Sequence, residues 1–340
     1  MRKRYLLLAV SVTILGVLWW RVGWHQLARG VAGLHYPFFV AALALFIPQV
    51  WVSGWRWDRL VYPRGEGRLG RSIQLVLAAS ALNVVLPSKL GDVAKGLFAV
   101  RHEGPGSVEH GLALGIFEKG IDTASLAFWM VLASLVVPPQ EPLGWAMVAI
   151  GVAIVLAVGG LVGFGRGVEV GGLAGGVVGR VVGLVRRIAA VGAELRADRG
   201  RLVAVLAASL ALWFLHIAQF AVVQAATGGA ARPLLVASRV PMAIFVGLLP
   251  VSFAGVGTRD AAMVYLLAGP LGESTALVLG LFATLRYVVV ALAGIPYISH
   301  LDFARLRRAG QNNSVASAAV SVAHDHTTPE AAEETTEVEH

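Results

Sequence analysis

Seven ionisable residues stand inside otherwise apolar runs of this chain: Glu118, Lys119, Asp122, Arg239, Arg259, Asp260 and Arg286. At a bilayer centre each costs roughly 2.5 to 3.5 kcal/mol to insert, so seven unpaired charges would cost on the order of 20 kcal/mol. They must be paired, hydrated or near an interface. Glu118 and Asp122 are four residues apart and share one helical face, where only a cation or a proton relieves their repulsion. Arg286 is the expected partner. Two further groups surround prolines: Asn83, Pro87, Lys89, Gly91, Asp92 and Lys95 at the first, and Pro250, Gly255, Gly257, Arg259 and Asp260 at the second. A proline break lets the following half-helix point its free N–H groups and positive dipole end into the membrane, while glycines allow close backbone approach, an anion-binding arrangement. Lys89, Lys95 and Arg259 would then hold a lipid phosphate, and Asp92 and Asp260 would orient those cations or meet a cationic headgroup. The same residues also admit a structural reading, in which the charges are packing ion pairs and the glycines permit tight hairpins.

Enzymatic signals are missing. The chain contains no G-x-x-x-x-G-K-[ST], no G-x-S-x-G and no H-E-x-x-H, the patterns that cradle nucleotide phosphates, expose a serine nucleophile or bind catalytic zinc. Cysteine is absent, which excludes disulfides and thiolate metal sites. His324 and His326 flank Asp325 in a polar tail and are expected to be solvated. No catalytic residue, metal or cofactor is therefore expected.

The elements that position the charges follow from composition. Of 340 residues, 57% are AVILMFWYC and 40 are glycine, while only 14% are charged, and the mean hydropathy is +0.72. Soluble domains are roughly 45 to 50% apolar with glycine included and about 25% charged, so an all-α polytopic membrane protein is expected. The pI is near 10.3, but the basic residues lie between apolar runs, so nucleic acid is not an expected partner. Six runs reach the length of a full crossing: Tyr5–Trp20, Pro37–Trp57, Gly111–Val137, Trp145–Phe164, Leu202–Ala226 and Ser274–Ser299. The first reads as a retained signal anchor. Two interrupted runs, Ile73–Val100 and Leu234–Ala268, read as re-entrant helical hairpins.

With the N-terminus in the cytoplasm, this topology places 21 Lys and Arg inside and three outside, as the positive-inside rule requires. Both termini are then cytoplasmic. A weak internal repeat spans about 70–137 and 233–300: Leu114-Gly-Ile-Phe117 matches Leu279-Gly-Leu-Phe282, and Leu86-Pro87 matches Leu249-Pro250. Three crossings separate the hairpins, so the halves are inverted, the plan of many secondary transporters. Glycines recur every fourth residue from Gly159 to Gly183, a stripe that either favours close helix contact or belongs to a loop. Val177–Arg201 mixes arginines with apolar residues and reads as an interfacial amphipathic helix or a linker. A single transmembrane domain of 1–310 thus precedes a tail, 311–340, with six acids and no Lys or Arg, whose composition predicts disorder.

Asn83-Val-Val-Leu-Pro-Ser-Lys-Leu-Gly-Asp92, Phe117-Glu-Lys-Gly-Ile-Asp122 and Leu249-Pro-Val-Ser-Phe-Ala-Gly-Val-Gly-Thr-Arg-Asp260 occur in that order. In these motifs the chain resembles the lysylphosphatidylglycerol synthase transmembrane family, also described as flippase-like, from about Arg4 to Leu306. The resemblance implies an inner-membrane protein that moves an aminoacylated or other anionic lipid between leaflets. Asp260 departs from the glutamate more usual there. The aminoacyltransferase domain that follows in the best-known members has no expected counterpart, so lysyl-lipid synthesis is not expected. The leading expectation is a lipid translocase, its polar path running between the hairpins, with membrane lipids as partners and either a second copy or a separate lipid-modifying enzyme beside it. The alternatives are an integral membrane transferase acting on a polyprenyl-phosphate or glycolipid, with Asp92 or Glu118 as base, and a non-catalytic scaffold.

Overall fold

The computed structural model describes residues 31–62, 68–85, 90–99, 107–164, 177–249 and 256–299, which are almost entirely helical and contain no strand. The first expected crossing, the acidic tail, Pro87, Lys89, Pro250 and Gly255 lie outside the described residues. Eleven helices follow in order: α1 Tyr36–Ala44, α2 Phe46–Val61, α3 Leu69–Val85, α4 Leu90–Ala99, α5 Ser107–Val136, α6 Pro142–Phe164, α7 Val177–Ala197, α8 Arg199–Ala226, α9 Pro233–Leu248, α10 Thr258–Leu271 and α11 Glu273–Ile298.

Five stretches among the described residues are long and apolar enough to cross a membrane: Tyr36–Val61, Glu109–Val136, Pro142–Phe164, Arg199–Ala226 and Glu273–Ile298. The chain is a multi-pass membrane protein. Its first described span is two helices, and the cause is local: Pro48 has no N–H to give the carbonyl of Ala44, so the ladder breaks at Leu45. Large exposed apolar side chains such as Leu156 and Phe164 stand on the flank of α6, which buries only Gly144, Gly151 and Val162. Such a surface belongs in hydrocarbon.

The described residues of each interrupted run form two helices, α3 and α4 in the first and α9 and α10 in the second. At about 1.5 Å per residue, the 10-residue α4 and the 14-residue α10 are about 15 and 21 Å long, each shorter than a hydrocarbon core of roughly 30 Å. Each pair leads into a long helix, α5 or α11, and the packing is reciprocal. Helix α3 of the first set lies on α11 of the second, and α9 of the second lies on α5 of the first. Glycines set the closest approaches: a Cβ at Gly294 would strike the carbonyl of Leu77, and one at Gly115 would lie 2.5 Å from the carbonyl of Val93.

Two apolar clusters stack along the molecule. One gathers Trp57, Leu60, Phe117, Ile121 and Leu195, and the other Met130, Phe220, Met242, Met263 and Phe282. Helix α5 runs through both, leaving the first after Ile121 and entering the second at Leu126. The expected amphipathic segment is helix α7, which buries Ala189, Val191 and Leu195 and exposes Val185, Arg186 and Arg187.

Candidate functional site

The charged residues collect where the two apolar clusters meet. Arg56 of α2, 2% exposed, reaches α5 with both terminal nitrogens, one 2.7 Å from Glu118 Oε1 and the other 2.5 Å from Asp122 Oδ1. Lys95 of α4 lies 2.6 Å from Glu118 Oε2, its ammonium 4.5 Å above the Trp57 ring. Lys119 lies 2.8 Å from Asp92 Oδ2. Asn83 of α3 holds the other side of Asp92, donating to Oδ1 at 2.7 Å and accepting from the Asp92 backbone N–H at 3.2 Å. Three cations thus meet three carboxylates from three helices. Charges taken from water persist only when paired and hydrogen-bonded in this way.

Helix α8 completes the layer on its other side. Ser209 accepts from Arg56 at 3.1 Å, and Gln219 accepts from Gln49 at 3.1 Å and from Arg286 at 2.8 Å. A second contact joins Arg286 to His216 Nδ1 at 3.0 Å. Ser209 is ten residues into α8, about 15 Å along its axis, or roughly half the hydrocarbon thickness. The layer's contacts on α8 run on from there to Gln219, about 30 Å from the start of that helix. The layer encloses a cavity of about 150 Å³, lined by Gln49, Arg56, Asp92, Lys119, Asp122 and His216 among others.

The second hairpin carries a smaller cluster. Arg259 donates to Asp260 Oδ1 at 3.2 Å and to Thr284 at 2.7 Å, and the Gly257 N–H donates to Asp260 Oδ2 at 2.9 Å. Asp92 and Asp260 are each the third residue of the short helix after a break. Each also meets the residue two positions beyond the matching phenylalanine: Asp92 meets Lys119 after Phe117, and Asp260 meets Thr284 after Phe282, the latter at 3.4 Å. One contact geometry thus occurs at the same register in both halves, with a cation in one and a hydroxyl in the other.

Several expected roles change. Arg286 is not the partner of Glu118 and Asp122; Arg56 takes that place, and Arg286 turns to α8. It makes no ion pair among the described residues. Gly91 faces its own hairpin arm, where a Cβ would lie 2.5 Å from the Ala79 carbonyl and 2.8 Å from the Asn83 nitrogen. That close approach joins α3 to α4 and leaves no room there for an anion. Gly257 adopts φ +90°, where a side chain would strain the backbone, and its N–H is occupied by Asp260. Lys95 is engaged by Glu118. Arg239 lies apart from the layer, 3.3 Å from Glu141 and donating to the Pro138 carbonyl at 3.2 Å.

Arg56, Gln49, Ser209, His216, Gln219 and Thr284 were not among the residues expected at the site. Arg56 counts among loop charges when read next to Asp58 and Arg59. A spacing signal was present nonetheless: Gln49 and Arg56 are seven residues apart, and Ser209, His216 and Gln219 recur at intervals of seven and three, each set on one helical face within an apolar run.

Compared with known proteins, the chain matches the family model described as the Lysylphosphatidylglycerol synthase TM region over residues 6–294. No match is found among curated proteins.

Proposed function

Because the chain belongs to the lysylphosphatidylglycerol synthase transmembrane family, and so has a membrane lipid-related role, we propose that it is a translocase moving the headgroup of an anionic or aminoacylated lipid through the polar layer between its two broken-helix hairpins. The observation that carries this reading is the balanced set of three cations and three carboxylates around a cavity between the membrane-spanning helices. Charges inside a membrane-spanning bundle are costly and mark substrate or ion paths.

The layer has groups for both charges of such a lipid. Among the described residues Arg286 contacts His216, Gln219 and the Phe220 ring and makes no ion pair with a carboxylate, and Arg56 Nε is buried with no acceptor. Both favour a phosphate oxygen. Asp122 keeps 17% of its side-chain surface exposed, and its Oδ2, with only Lys119 at 4.0 Å, is available to an ammonium group. An incoming ion can replace one partner of a pair while the other charge stays compensated, avoiding the cost of a bare buried ion.

A transferase using Asp92 or Glu118 as base fits less well. Both oxygens of each are occupied, by Asn83 and Lys119 in one case and by Arg56 and Lys95 in the other, so none is turned toward a substrate proton. The test is reconstitution of purified protein into liposomes carrying a headgroup- or chain-labelled fluorescent lipid. Protein-dependent exposure of inner-leaflet phosphatidylglycerol to external dithionite, suppressed by excess isoprenoid phosphate or unlabelled acidic lipid, is expected. Labelled lipid that stays protected in every headgroup series would exclude translocation.

A further inference from the structure

Away from the charged layer, α5, α6 and α8 enclose an open groove of about 740 Å³. It uses a different face of α5, that of Ile121, Ser125 and Phe128, spaced four and three residues apart. Its walls are apolar, with Val155 and Val158 from α6 and Val203, Leu206 and Leu210 from α8. Its volume is within the roughly 300 to 1,000 Å³ typical of small-molecule sites. Among the described residues, the charged ones lining it are Arg196 and Arg199, near the start of α8.

The glycine stripe of α6 explains why the groove is open. Gly159 and Gly163 line it, and a Cβ built on either meets nothing within 4 Å. These glycines do not serve close helix packing, the role their spacing suggested. Arg196 fixes the end of the groove by donating to the carbonyls of Leu161 and Val162 in the last turn of α6 at 3.2 and 2.8 Å. From Arg199 to Leu210 the groove follows eleven residues of α8, about 16 Å. That is the depth of one leaflet of a core roughly 30 Å thick.

We propose that this groove holds an acidic phospholipid of the surrounding bilayer, with an acyl chain between α6 and α8 and the phosphate at Arg199 beside Arg196. Apolar walls one leaflet deep, with arginines as the charged lining residues at one end, fit an anionic lipid. The site is separate from the translocation layer and carries its own readout.

The test uses the full chain in neutral detergent, with phosphatidylglycerol or phosphatidylcholine added, read by native mass spectrometry and thermal melting. Phosphatidylglycerol should remain bound and raise the melting temperature more than phosphatidylcholine does. Gly159→Leu with Gly163→Leu puts its Cβ atoms into open space and raises helix propensity, so without lipid it should melt no lower than the wild type, and it should lose the lipid-dependent increment. Arg199→Gln should weaken phosphatidylglycerol retention about fivefold, the effect of one arginine at an anionic surface. The proposal is overturned if the filled variant and Arg199→Gln both retain phosphatidylglycerol as the wild type does. Equal stabilisation by phosphatidylcholine would overturn it too, as would a dimer that the filled variant dissociates while lipid binding persists, since the occupant would then be a second copy.

Discussion

Replacing Arg56 with methionine isolates the electrostatics of the layer. Arg56 is 2% exposed and holds Glu118 at 2.7 Å and Asp122 at 2.5 Å. Without it, Glu118 keeps Lys95 at 2.6 Å, whereas Asp122 keeps only Lys119 at 4.0 Å. The uncompensated charge therefore falls on Asp122. Breaking a buried pair from one side costs about 3 to 5 kcal/mol, and because Asp122 borders the cavity the lower end applies, about 3 kcal/mol or two orders of magnitude in the unfolding equilibrium. Arg56→Met with Asp122→Asn removes one charge of each sign and should recover about 2 kcal/mol of that loss, a coupling within the range found for contacting residues. Unfolding in mixed micelles of neutral detergent and SDS, followed by tryptophan fluorescence, reads both variants. If Arg56→Met unfolds with the wild type, or if the double variant is no more stable than the single one, the layer is not held together by charge balance.

Gly91→Ala places a methyl against the backbone of α3 and should destabilise by about 1 to 3 kcal/mol, whereas Gly120→Ala, with open space around it, should be neutral or gain up to about 1 kcal/mol from helix propensity; the same micelle titration separates them. The chain has no cysteine, so single cysteines report topology directly: positions 140 and 229 should react with an impermeant thiol reagent outside intact cells, and positions 66 and 305 should not. Deleting Asn312–His340 should leave expression and lipid movement nearly unchanged, measured by membrane yield and liposome assay. A large loss of either would show that the acidic segment docks on the basic face.

Much of the fold was legible because hydrocarbon imposes one simple demand. The apolar runs Trp145–Phe164 and Leu202–Ala226 become helices at Pro142–Phe164 and Arg199–Ala226, since a backbone in lipid must satisfy its hydrogen bonds within the segment. Pairing was less legible, because it depends on which face of each helix turns inward. Glu118 and Asp122 did require a cation, but Arg56 supplies it from a helix distant in sequence, while Arg286 aligns in the repeat with Ile121 and turns to His216 and Gln219. Glycine spacing was ambiguous in the same way. Gly91 and Gly294 do mark close helix contacts, whereas Gly159 and Gly163 open a groove that no periodicity distinguishes from a packing seam.

The central claim is that lipid headgroups pass through the charged layer, and the most direct measurement is the initial rate of dithionite-accessible lipid exchange in liposomes for Asp92→Asn, Glu118→Gln and Arg259→Ala, each compared with Arg187→Ala on the exposed face of α7. The account predicts that the three layer and hairpin variants reach the membrane folded and lose most of the wild-type rate, while Arg187→Ala retains it. Wild-type rates in all three would reduce the layer to a set of packing ion pairs and contradict the account.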